Sequence, residues 1–250
     1  MANRPANALS RAAKGIDRQA ALEKLNRQII ACRLCPRLRE YCQKVATQKR
    51  RQYRDWTYWG KPVPGFGDLA AELIILGLAP GAHGSNRTGR MFTGDRSGDF
   101  LYQALYEAGF ASQPIARHRQ DGLTLRNCYI TASVRCAPPD NKPTPQELRN
   151  CHPYLERELA LLKNMRVILA LGRVAFDTCL VWASVRAPMP PRARFHFRHG
   201  ANYVLPGGLP RLFASYHPSQ QNTQTGRLTM PMFERVLREI RGFLSEATTE

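Results

Sequence analysis

The sequence predicts an α/β fold, a three-layer α/β/α sandwich around a mainly parallel central sheet. The first reason is an alternation of short apolar runs with helical patterns, the order that builds parallel sheets. The second is that these runs lack polar alternation, as expected of strands buried on both faces. The third is length: 250 residues suit one large domain, and 43% apolar residues supply its core.

Taken in order, residues 1–18 are small, polar and basic and read as a loose N-terminal arm, leaving 19–250 as a single domain. Leu22, Leu25, Ile29 and Ile30 form a helical stripe over 19–31, leading into the first cysteines. Residues 47–68 interleave Lys49, Arg50, Arg51 and Arg54 with Tyr53, Trp56, Tyr58 and Trp59, and end in a Pro/Gly loop. The strands are expected at Leu73–Leu78, Tyr129–Val134, Val167–Gly172 and Arg211–Tyr216. Helices are expected over Asp99–Ala108, over Thr144–Lys163 with Pro145 near its start, from Arg173 onward, and over Met232–Ser245. Ala187–Arg198 reads as a Pro/Arg-rich surface loop. Functional residues then belong in the loops at the carboxyl ends of the strands.

Lys plus Arg number 37 against 19 Asp plus Glu, a net charge of +18. Such a surface suits a polyanion, and nucleic acid is the natural one because phosphate contacts release counterions. No apolar run approaches the roughly 18 residues of a membrane span, and the N-terminus lacks a signal-like apolar stretch. The chain is therefore expected in the cytoplasm, at the nucleoid, as a monomer. Seven cysteines in a chain of that kind point to metal-binding thiolates or buried thiols rather than disulfides. Cys32 and Cys35 form a CxxC, and Cys136 and Cys151 flank a Pro-rich turn. Those four could close a zinc site or an iron–sulfur site, and spacing does not separate the two. Cys42, Cys128 and Cys179 read as inert buried thiols.

The loop after the first strand, GLAPGAHGSNRTGRMFTGD (77–95), is glycine-rich and lets backbone amides approach a ligand. That after the fourth begins His217-Pro218-Ser219 and places a hydrogen-bonding ring at a strand end. Either motif alone has an ordinary structural explanation.

Together, these two loops, VRCAPPDNKPTP (134–145), the four cysteines and the segment Trp59–Asp68 resemble the family 5 (UDGb-type) uracil-DNA glycosylases over roughly residues 25–245. The resemblance implies a uracil-DNA glycosylase-like sandwich that excises uracil, with hypoxanthine and xanthine as further substrates, in base excision repair. It implies a structural [4Fe–4S] cluster on Cys32, Cys35, Cys136 and Cys151. The partner is double-stranded DNA carrying deaminated bases, with single-stranded DNA as a further form. His217 is expected to stabilise charge on the departing base, amides at Gly81 and Ala82 to hold its carbonyls, and Phe92 to stack on it unless it is core. Asn86 or Asn141 orients the water, with loop organisation an equal role for Asn141, and His83 is the alternative that holds it. Ser219, Gln220, Gln221 and Asn222 are expected to contact DNA or fill the gap left by the base, capping being their ordinary role. The positions after Gly77-Leu78-Ala79-Pro80-Gly81 carry no acid, and Thr131-Ala132 stands where related families place an asparagine. A non-catalytic metal-bearing nucleic-acid binder, a uracil-crosslinking relative and a cysteine hydrolase explain less of this pattern.

Overall fold

A computed structural model describes residues 5–246. Helix α1 (Pro5–Ala31) covers most of the stretch expected to be a loose arm, and residues 1–4 lie outside the described residues. Helix α2 (Pro36–Gln48) starts directly after the CxxC with Pro36 at its first position, where the missing N–H costs nothing. The strands that follow are β1 (Phe66–Gly67), β2 (Leu73–Gly77) and, after helices α3 (Ser85–Thr88) and α4 (Arg96–Glu107), β3 (Cys128–Ala132). Helix α5 (Pro145–Leu161), β4 (Val167–Leu171) and α6 (Arg173–Ser184) come next. Finally β5 (Asn202–Tyr203), β6 (Arg211–Ser215), α7 (Gln220–Gln224) and α8 (Met230–Glu246) complete the described chain.

The six strands lie in the order β1-β3-β2-β4-β6-β5. The inner four are parallel and are the four expected from the apolar runs, whereas β1 and β5 add antiparallel edges. Two-residue edge strands carry no periodicity, so sequence alone does not reveal them. In β2, β4 and β6, even positions (Ile74, Leu76, Ile168, Ala170, Leu212) face α1, α5 and α6 and odd ones (Leu73, Ile75, Leu169, Phe213) face α4 and α8, the parity being reversed in β3. That is the three-layer sandwich. Helix α5 opens with a full capping box, Thr144 accepting from the Glu147 amide while Glu147 accepts from the Thr144 amide.

Pairing of Gly77 with Ala132 and of Leu171 with Ser215 aligns the carboxyl ends of the strands, so their following loops leave one edge together. The chain passes from β2 leftward to β3 and from β4 rightward to β6. The crevice at that switch is where open α/β sheets bind ligands.

Under the sheet, Glu158 (0% exposed) accepts from Tyr129, Thr131, Arg135 and the Gly65 amide. Removing either ion of the fully buried Arg135–Glu158 pair would strand the other, so the network specifies how α5 meets β3. It also takes Thr131 out of contention as a base reader.

Candidate active site

The loop after β2 is held in place by buried polar side chains. Asn86 (1% exposed) donates its amide hydrogens to the Cys42 and Ala82 carbonyls (3.2 and 3.3 Å), and its backbone amide to the Gly81 carbonyl (3.0 Å). Its Oδ1 is buried without a partner among the described residues. Bracing the loop on α2 uses both of its N–H groups, so only Oδ1 is free to meet a water. The amides of Gly81 and Ala82 have no acceptor among the described residues.

Phe92 stands in the left-handed region (φ +50°), the residue 8% exposed, packed in the core and stacked on His217 at 5.7 Å and 28°. Gly77 lies directly beneath it, and a Cβ there would crowd the ring at 3.1 Å. Phe92 thus both belongs to the core and faces the site. His217 comes from the loop after β6 and abuts Gly172 at the end of β4, where a Cβ would stand 3.5 Å from its own Cβ. Burial pushes its imidazole down to about 4, which keeps the ring neutral at physiological pH. Asn222 donates to the His217 carbonyl (2.8 Å), and Ser219 caps α7 by accepting from the Asn222 amide. Gln220 and Gln221 are exposed on α7. Ser219 and Asn222 therefore shape the His217 loop, and only the two glutamines project outward.

His83 shares a hydrogen bond with the Tyr58 hydroxyl at Nδ1 (3.0 Å). Burial, then Arg50 and Arg87, hold it below the ordinary histidine value. Asn141 is exposed at φ +56°, beside Asp140 at φ +52°. Two consecutive left-handed residues make the sharp turn before α5, and the Asn141 side chain stays exposed, open to either of its two expected roles.

One candidate residue carries no sequence signal of a role in the site. Asp95 accepts from the Gly98 amide (3.0 Å) as N-cap of α4, and its other oxygen lies against the loop. A Cβ added to Gly81 would come within 2.6 Å of Asp95 Oδ2, and one on Gly84 closer still. The carboxylate fills the space where the loop's own side chains would be, so an acid stands against a loop whose positions 82–85 carry none. Burial raises the carboxyl above its ordinary range, against the lowering effect of the Gly98 and Ser97 amides. An aspartate before a helix reads as a cap, which it is, and nothing local signals the second role.

The cysteines come from separate segments. Cys136 and Cys151 are buried, while Cys32 and Cys35 are partly exposed. Asn150 donates to Cys35 Sγ (3.4 Å), and Arg37 pairs with Glu147 (2.7 Å), tying the start of α2 to that of α5. Burial pushes the Cys151 thiol up to about 12, with Cys136 and Cys35 adding to the rise. Burial raises Cys35 as well, and both Cys136 and Cys32 contribute. Four sulfurs close enough to repel as thiolates are a donor set that fits a thiolate-bound group. No group of three or more His, Cys, Asp or Glu is spaced to hold a single metal ion among the described residues. Cys42 and Cys179 are buried, as expected, and Cys128 lies inside β3 rather than before it. Cys42 donates to the Ala137 carbonyl and packs with Cys136.

No described helix is long and apolar enough to cross a membrane. Residues 64–241 match the family model for the uracil DNA glycosylase superfamily. The chain is 54% identical to the type-5 uracil-DNA glycosylase of Thermus thermophilus, over 90% of this chain and 97% of that protein. It is 50% identical to the type-5 uracil-DNA glycosylase of Mycobacterium leprae, covering 88% and 94% of the two chains. A type-4 uracil-DNA glycosylase of Archaeoglobus fulgidus is more distant, at 31% identity over 62% of this chain and 61% of that one. With relatives this similar end to end, on a sandwich whose loops converge at one edge, the chain belongs to the type-5 group of the uracil DNA glycosylase superfamily.

Proposed function

We infer that this protein hydrolyses the N-glycosidic bond of uracil in DNA and so begins base excision repair, acting as a cytoplasmic monomer at the nucleoid. The observation that carries the chemistry is the meeting of two loops: the neutral His217 ring stacks on Phe92, and the Asp95 carboxylate lies in the same loop as Phe92, against Gly81 and Gly84. Extruding the nucleotide costs a few kcal/mol, less at a mispair. The free amides of Gly81 and Ala82 receive base carbonyls, and the base rests against Phe92. As the bond breaks, His217 donates a hydrogen bond to the negative charge growing on the base. Asp95 takes the proton of the water that adds to the sugar carbon, and phosphates of the DNA offset the positive charge on the sugar. Asn86 and Asn141 hold loops, and His83 is the alternative group for the water.

Hypoxanthine and xanthine are proposed as further substrates. The carboxyl end of β3 presents buried Ala132, because the Thr131 hydroxyl is committed to Glu158. A pocket wall without a polar demand rejects fewer bases. Duplexes carrying uracil, hypoxanthine or xanthine, incubated with enzyme and cleaved with alkali, should be cut at all three. Scission at uracil alone would remove the broad base range, and no scission at any would remove the function.

Cys32, Cys35, Cys136 and Cys151 are assigned to a [4Fe–4S] cluster. In a cubane each thiolate meets a different iron, whereas a zinc ion draws every sulfur to about 2.3 Å of one centre. Held by Cys32 and Cys35 before α2, Cys136 after β3 and Cys151 in α5, such a cluster would cross-link those three segments. Anaerobically purified protein should be brown with roughly four irons per chain, Cys136→Ala should lower folded yield, and Cys179→Ala should leave iron unchanged. Colourless protein with one zinc would reverse the assignment.

A further inference from the structure

The basic-aromatic segment 47–59 is not used by the chemistry above, yet it is built onto the active-site loop. The Arg87 guanidinium, on a residue 3% exposed, sits in the corner made by the rings of Tyr53 (3.9 Å) and Trp56 (4.1 Å), which meet edge to face. Arg87 itself donates to the carbonyls of His83 (2.8 Å) and Gly94 (2.6 Å), both in the loop after β2. Main-chain bonds from Trp59 to Arg87 (2.9 Å) and from Gly60 to Asn86 (3.0 Å) join the two segments, and Tyr58 meets His83. A charged loop that merely needed solvent would not require so many fastenings.

Its outer surface is arginine-rich and only shallowly indented. Arg50, Arg51, Gln52, Arg54 and Asp55 line a cleft of about 610 Å³. Its one acid, Asp55, lies 3.9 Å from Arg54 with both side chains exposed, an arrangement that neutralises little. Arg50 and Arg51 have no carboxylate partner among the described residues. Trp56 keeps 37% of its surface exposed beside them, although one face is used by Arg87. Planar guanidinium forks bind phosphate oxygens in pairs, and an exposed indole next to them offers a face to a base.

We propose that residues 50–56 are a docking surface for one DNA strand next to the active site, with Arg50, Arg51 and Arg54 on phosphates and Trp56 stacked on a base. This rests on the protein's acting on DNA but not on its chemistry. The buried arginine, bonded to the His83 and Gly94 carbonyls, ties the surface to the active-site loop, so that a strand seated on it is registered against the loop holding Gly81, Asp95 and Phe92.

The test is binding of the full protein to an undamaged duplex across a salt series. Each lost phosphate contact lowers the slope of log affinity against log salt by about 0.9. Arg51→Ala with Arg54→Ala should therefore flatten it by roughly two such steps. Arg235→Ala with Arg238→Ala removes the same charge from exposed positions of α8 and should leave the slope intact. Equal slope changes in the two variants, or none in the first, would overturn the proposal. Trp56→Ala should weaken binding by about five- to a hundredfold without altering the slope, and Trp56→Phe, which keeps a ring on Arg87, should recover most of it. Binding unchanged in Trp56→Ala would remove the stacking contact, and preference for an acidic protein over DNA would replace the occupant. Should the wild type release no base while these slopes change as expected, the catalytic proposal falls and the surface stands. Base release by the wild type with an intact slope in the first variant removes the surface and leaves the chemistry standing.

Discussion

His217→Ala is expected to lose single-turnover uracil release by about 10²–10³, while its affinity for an abasic-site duplex changes little. The split follows from where the ring acts. Charge appears on the base only as the bond breaks, so a donor aimed at that charge contributes to the transition state and not to the product complex. With its imidazole near 4, His217 is already neutral well below physiological pH. Its protonation should therefore reduce activity only as the pH falls through about 5 toward 4. His83→Ala is the comparison. Its Nδ1 is engaged by Tyr58 of the basic segment, and it belongs to the loop after β2 rather than to the one after β6. If His217→Ala excises normally and His83→Ala does not, the two histidines have exchanged roles. If neither variant is affected, backbone amides and substrate phosphates carry the charge.

The parts of this architecture that are legible in sequence are those written in local pattern. The central strands are unbroken apolar runs, the closing helix shows Phe233, Val236, Leu237, Ile240 and Leu244 at helical spacing, and Thr144 with Glu147 announces α5. Features that depend on distant partners stay hidden. Helix α2 is one, because its short buried stripe of Leu38, Cys42 and Val45 directly follows the CxxC and lies among charged residues. Thr131 resembles a departure in the base pocket until Glu158, 27 residues later, is found to take its hydroxyl. Asn86 has the chemistry of a group for the water, whereas its amide holds α2 to the loop. Glycine usage misleads in an instructive way. Gly81 and Gly84 suggest places for a ligand to approach the backbone, and the group that approaches them is the chain's own Asp95.

That carboxylate is the subject of the second large effect. Asp95→Asn should reduce single-turnover base release by about 10²–10⁴, the range general-base catalysis contributes. Asparagine is as good an N-cap as aspartate and has nearly its shape, so α4 and the packing on Gly81 and Gly84 should survive. The stability expectation separates this from a structural role. Burial raises the Asp95 carboxyl above its unfolded value, so the ionised form destabilises the fold, and that cost grows as the pH rises through the folded value. Asp95→Asn removes the buried charge and should melt no lower than the wild type at neutral pH. A variant that loses activity and also unfolds early would mean that Asp95 is only a cap. The pH profile offers an independent check. A water-activating carboxylate must be ionised, so kcat/KM should rise with pH along a limb lying above the ordinary carboxylate range, and Asp95→Asn should abolish that limb. Neutral His217 cannot produce it, since its own titration lies near 4. Retention of both rate and limb in Asp95→Asn would return the water to His83 or to the unpartnered Oδ1 of Asn86.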